Sequence, residues 1–78
     1  MMMETDERLL VQRAIAYLRR TYGEETVKMD VVRNDVRAGS GVLEVDCTVR
    51  VGGEESDWRK WFSFRDGEVV SMRWKMYG

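Results

Sequence analysis

Histidine and proline are both missing from this chain, and cysteine occurs once, as Cys47. A single cysteine excludes an internal disulfide, and without histidine the usual structural zinc sets cannot be assembled. The same absence removes Ser–His and Cys–His nucleophilic pairs, so Ser40, Ser56, Ser63 and Ser71 have no imidazole to activate them. Neither charge sign dominates: 13 Lys and Arg stand against 14 Asp and Glu, a net charge of -1. That balance lacks the basic footprint of a dedicated nucleic-acid domain. No window approaches the roughly 18 apolar residues of a membrane-spanning helix. The opening MMMETDERLL is acidic where a secretory leader is basic and then apolar. A cytosolic protein without membrane attachment is therefore expected. The run of three Met leaves the start ambiguous, and Met1 and Met2 carry no structural weight.

With 44% hydrophobic and 35% charged residues, the composition is that of a folded chain, and its charge density resembles that of thermophilic proteins. Seventy-eight residues accommodate one domain, spanning 1–78, with one modest core. Cores of this size supply only a few kcal/mol of net stability. With disulfides and zinc excluded, self-association as a homodimer is the remaining way to enlarge the core.

Residues 6 to 22, DERLLVQRAIAYLRRTY, place Leu10, Val11, Ala14, Ile15, Leu18 and Tyr22 at spacings of three and four, one stripe of a helix that Tyr17 widens. Thr5 or Asp6 can cap its start, Arg19 and Arg20 suit its negative end, and Gly23 can terminate it in the left-handed conformation. Beyond it, residues 26 to 36 alternate Val27, Met29 and Val31 against Lys28 and Asp30, then falter at RNDV, where a bulge or early turn is expected. After RAGSG, Leu43, Val45, Cys47, Val49 and Val51 alternate cleanly with Glu44, Asp46, Thr48 and Arg50. VGGEESD and the Asp-Gly of RDGE mark two further turns around WRKWFSF and VVSMRWKMY.

The expected fold is α+β in two layers, an N-terminal amphipathic helix packed on a four-stranded antiparallel meander. This order of elements resembles the cystatin-like class. The chain carries no inhibitory loop motif of that class, so the resemblance implies a layout and no residue role.

In ESDWRKWFSFRDGEV, residues 55 to 69, Trp58, Lys60, Phe62 and Phe64 share one strand parity, and Arg59, Trp61, Ser63 and Arg65 share the other. Strict alternation turns the first set inward, with Lys60 near an edge and its amine reaching water, and leaves Trp61 exposed. A bulge near Lys60 is the alternative, and it brings both Trp61 and Phe64 toward the core. In the last strand Val70, Met72, Trp74 and Met76 form the apolar face, with Trp74 expected beneath the helix beside Leu43, Cys47 and Phe62 or Phe64. Under alternation Arg50, Arg59, Trp61, Arg65, Arg73 and Lys75 form an outer surface, basic toward the last two strands, while Asp30, Glu44 and Asp46 make the first two acidic.

Three functional readings follow. The first is a small interaction or scaffold domain that self-associates through an exposed strand or the outer sheet face. The second is single-stranded nucleic-acid binding, with Trp61 stacking on a base and the surrounding basic residues contacting phosphate. The third is a small-ligand pocket between helix and sheet lined by Tyr17, Tyr22, Trp58 and Trp74. No catalytic set or organic cofactor is indicated, and a non-enzymatic protein is expected. GSG at 39 to 41 lacks the Lys and Ser or Thr of a phosphate loop. Glu54, Glu55 and Asp57 do not match calcium-loop spacing and read as a soluble turn. Cys47, on an inward parity, reads as a structural thiol.

Overall fold

The computed structural model describes residues 6–77. One helix, α1 (Glu7–Tyr22), precedes β1 (Glu25–Asn34), β2 (Gly41–Val51), β3 (Glu54–Arg65) and β4 (Glu68–Met76), which pair antiparallel in the order β1-β2-β3-β4. The α+β helix-on-meander layout is thus present. Asp6 caps the helix, its Oδ1 accepting from the Arg8 amide at 3.0 Å. Thr5, the other candidate cap, lies outside the described residues. Gly23 adopts φ 67° and donates to the Arg19 carbonyl, closing the last turn as its position after Tyr22 predicts.

The hairpins turn on Ala38-Gly39, Gly52-Gly53 and Asp66-Gly67, each with positive φ at both residues. That primed geometry matches the twist of paired strands. Two of the tips meet, the Gly67 amide donating to the Gly39 carbonyl at 2.9 Å, and Arg13 of α1 ties in by donating to the Gly67 carbonyl at 2.6 Å.

Between the layers, Leu10, Ala14 and Leu18 pack with Leu43, Val45, Cys47 and Val49 of β2, Phe62 and Phe64 of β3, and Val36. Burying each Leu, Val or Phe stabilises the fold by about 1.5–3 kcal/mol relative to leaving it exposed. The inner strands keep strict alternation because both their edges are paired. The β2–β3 register runs without a shift from Gly41–Phe64 to Val51–Glu54, so the alternative of a bulge near Lys60 is not adopted.

The bulges fall on the edge strands instead. Register shifts leave Val27 and Val32 as extra residues of β1, and Val70 as the extra residue of β4. Val27, expected inward, is therefore turned out, and Thr26 takes the place opposite Val49. The second bulge, at Val32, falls just before RNDV, and within RNDV the strand ends at Asn34, whose Oδ1 accepts from the Val36 amide at 2.9 Å. Val70 likewise leaves the inward face to Val69, which opposes Phe64. Val51, at the end of β2, is exposed beyond the helix.

Past Val70 the alternation resumes, and Met72, Trp74 and Met76 oppose Phe62, Lys60 and Trp58 on the helix side. The face of Trp74 is as expected, but its burial is not: Trp74 is 53% and Met76 57% exposed. The helix crosses the sheet diagonally, from Glu7 beside Asn34 of β1 to Tyr22, whose ring meets the edge of Trp74 at 6.3 Å between centroids. There it ends, before covering the rest of β4.

Gly41 gives a sharp test of the β1–β2 connection. At φ 140° it packs so closely that an added Cβ would overlap the Asp35 carbonyl, whereas one at Gly52, φ 59°, would meet nothing within 4 Å. Gly52→Ala is expected to lose only the left-handed strain of about 1–2 kcal/mol. Gly41→Ala adds a backbone clash and should lose clearly more, as chemical-denaturation midpoints of the two variants will show.

Candidate functional site

The outer face of the sheet carries the six residues expected to form a surface, but most of its charge is engaged within the protein. Cross-strand register sets Asp46 opposite Arg59 and Glu44 opposite Trp61. Arg59 donates to Asp46 through Nε at 2.6 Å and Nη2 at 3.0 Å, and to Glu44 through Nη1 at 2.8 Å. These bonds hold the Asp46 carboxyl below its ordinary range against the opposing effect of burial, and raise the Arg59 guanidinium above its own. Arg50 is similarly committed, 2.7 Å from Glu55 and 3.6 Å from Glu25. The acidic side of β2 and the basic side of β3 therefore meet as ion pairs at Glu44, Asp46 and Arg59, while Arg50 of β2 with Glu55 of β3 reverses the expected order. Tyr77 folds across it, its hydroxyl donating to Asp46 at 3.0 Å and its ring 5.8 Å from the Arg59 guanidinium.

Trp61 does face outward, but half-buried rather than free. The Arg73 guanidinium lies 5.5 Å from its ring centre, on the surface a nucleobase would need. Arg65 sits at the end of β3 opposite Glu68, apart from this cluster. Arg73 and Lys75 differ from Arg50 and Arg59: both are exposed, and among the described residues neither forms an ion pair.

The helix side holds a feature that alternation pointed to but did not resolve. Lys60, expected near an edge with its amine in water, lies on interior strand β3 and is 1% exposed. Its Nζ bonds Glu24 Oε1 at 2.6 Å and stands 5.1 Å from the centre of the Trp58 ring. Glu24 reaches it because the left-handed turn at Gly23 swings the chain back over the sheet toward β1. The signal available in the sequence was an inward-parity Lys between two aromatics, which demands a counter-charge. Which carboxylate answers that demand depends on where the helix ends.

Beside this ion pair opens a cavity of about 170 Å³, lined by Tyr22, Glu24, Trp58, Lys60, Met72 and Trp74. Three of the four residues expected to line a pocket are here, and Tyr17 is not, being packed edge-on to Phe62 at 6.3 Å and to Tyr22 at 6.1 Å. A cavity of about 150 Å³ admits a single benzene-sized ring, while drug-sized ligands use about 300 Å³ or more. This pocket suits one side chain or one ring. A more open hollow of about 320 Å³ lies among Lys28, Asp30, Asp46, Thr48, Asp57 and Tyr77, where Asp46 is already held by Arg59 and Asp57 by the Thr48 hydroxyl at 2.6 Å.

Cys47 is buried, and burial pushes its thiol up to about 11, which suits a packing role. Glu54, Glu55 and Asp57 lie along β3 rather than in a loop, and Glu55 and Asp57 are engaged by Arg50 and Thr48. Among the described residues no group of acidic, histidine or cysteine side chains converges as a metal site, and no helix is long and apolar enough to cross a membrane. Comparison with family models, with curated proteins and with solved structures returns no match for this chain.

Breaking the Lys60–Glu24 pair from one side should be harsher than replacing both partners. Glu24→Ala strands a buried ammonium and is expected to lose about 3 kcal/mol or more. The double variant Glu24→Gln, Lys60→Met should recover most of that loss, a difference that urea denaturation of the two proteins will measure.

Proposed function

We propose that this chain is a small, non-catalytic protein-interaction domain whose working element is the open edge of β4. An extended partner segment pairs with residues 71–76 and lays apolar side chains against Tyr22, Trp74 and Met76. The observation that carries this reading is the inequality of the two sheet edges. The β1 edge is broken twice, at Val27 and Val32, a device that blunts pairing with other chains. The β4 edge is regular beyond Val70 and presents an aromatic and a methionine at more than half exposure. Strand addition draws affinity from main-chain hydrogen bonds and specificity from alternate side chains. Exposed Trp, Tyr and Met are the residue types enriched at interfaces.

A second copy of the chain, suggested by the small core, is the competing source of such a strand. A cytosolic location and a cystatin-like arrangement of the layers belong to the same proposal. Nucleic-acid binding through Trp61 has less support, since Arg73 already covers its ring and Arg50 and Arg59 are paired. A second reading is favoured by the cavity beside Lys60: a single-ring ligand held among Trp58, Lys60, Met72 and Trp74.

Selection from a display library of extended peptides tests the main reading. Enriched peptides should bind the wild-type domain and lose about 2 kcal/mol, near thirtyfold, on Trp74→Ser, while Trp61→Ser changes little. Circular dichroism checks that both variants remain folded. Absence of any enriched peptide, or binding that depends on Trp61 and not on Trp74, would overturn it.

A further inference from the structure

We infer that the segment received at β4 is acidic, with carboxylates alternating with apolar side chains; the inference rests on strand addition at this edge. Directly opposed residues of neighbouring strands share a face, and opposite charges there stabilise while like charges repel. Across the outer face one row runs Asp30, Asp46, Arg59, Lys75 and the next runs Arg33, Glu44, Trp61, Arg73. Both rows end in a cation at the open edge. The β3 residues directly opposite them, Trp61 and Arg59, are a neutral ring and a cation already spent on Asp46 and Glu44, so neither offsets the positive pair at the edge.

The sheet contains its own precedent for what satisfies such a strand. β2 sets Glu44, Val45 and Asp46 beside Trp61, Lys60 and Arg59, carboxylates on the outer face and the aliphatic side chain toward the helix. A partner with the same acid–apolar–acid order would place carboxylates against Arg73 and Lys75, and an apolar side chain against Trp74. From there a long or aromatic side chain can lean toward the cavity of about 170 Å³ beside Lys60.

The charges also speak against a second copy. A two-fold axis that pairs β4 with itself antiparallel keeps outer face against outer face. In the two registers nearest the middle of residues 71–76, it opposes either Arg73 with Lys75 twice or Arg73 with Arg73. Either arrangement places cations together, the use of edge charge that discourages self-pairing.

The test uses two blocked, strand-length synthetic peptides, one alternating Glu and Val and one alternating Lys and Val, each with one central Phe. Binding is followed by amide chemical shifts of the full chain at low and moderate salt. The Glu peptide should bind at least about tenfold tighter than the Lys peptide, shift residues 71–76, and weaken with salt. The charge-reversed double variant Arg73→Glu, Lys75→Glu should invert the order. Arg73→Gln, Lys75→Gln serves in its place if the reversed protein is unfolded, and should erase the preference. Equal binding of the two peptides, or a preference that survives these substitutions, overturns the acidic assignment while leaving strand addition intact. Failure of both peptides together with an empty library selection removes strand addition itself. Sedimentation showing a dimer that is lost on Trp74→Ser also overturns the inference, because the edge is then occupied by a second copy.

Discussion

A helix is narrower than a four-stranded sheet, and most of what is particular to this protein follows from that mismatch. With its side chains a helix spans about 10–12 Å, whereas four strands at about 4.8 Å spacing make a layer about 19 Å wide. One helix of 16 residues cannot cover both edges, so α1 crosses on a diagonal, burying the middle of β2 and β3. What lies under it is core: Leu43, Val45, Cys47, Val49, Phe62 and Phe64. What lies beyond its last turn on the same face, Trp74 and Met76, stays half in water.

Lys60 and Glu24 sit at the boundary between these regions. The ammonium is beneath the end of the helix and the carboxylate is on the chain leaving it, so the ion pair fixes where the helix stops relative to β3. A buried pair of this kind contributes little net stability, and its loss on one side is severe. Its effect here is positional, since the same residues, with Trp58 and Tyr22, form the wall of the pocket that opens toward β4. The outer face reaches the opposite condition. Its charges close on one another through Arg59 and Arg50 until the last strand, where Arg73 and Lys75 are left facing solvent.

The elements that depend on local pattern were legible in the sequence: the helix with its Asp6 and Gly23 ends, the alternation of β2, the turn at Asp66-Gly67, and the assignment of Trp61 and Trp74 to opposite faces. The bulges at Val27 and Val70 were not, because an extra residue of this kind is defined by its partner strand and leaves the apolar pattern of its own strand unbroken. Burial of Trp74 was misjudged for a different reason. Parity tells which face a residue occupies, but whether that face is covered depends on the width and crossing direction of the layer above. The candidate surface was legible only as a list of outward residues. That Arg59 is consumed and Arg73 is not depends on which strands neighbour each other.

Backbone amide hydrogen exchange of the dilute protein, read residue by residue, addresses the uncovered edge most directly. Amides of β2 and β3 are paired on both sides and should exchange only with global unfolding, while those of residues 71–76 that point away from β3 should exchange close to the rate of an open chain. Protection of all six to the same degree as Val45 and Phe62, at concentrations where the protein is monomeric, would show that the β4 edge is covered and would contradict the account.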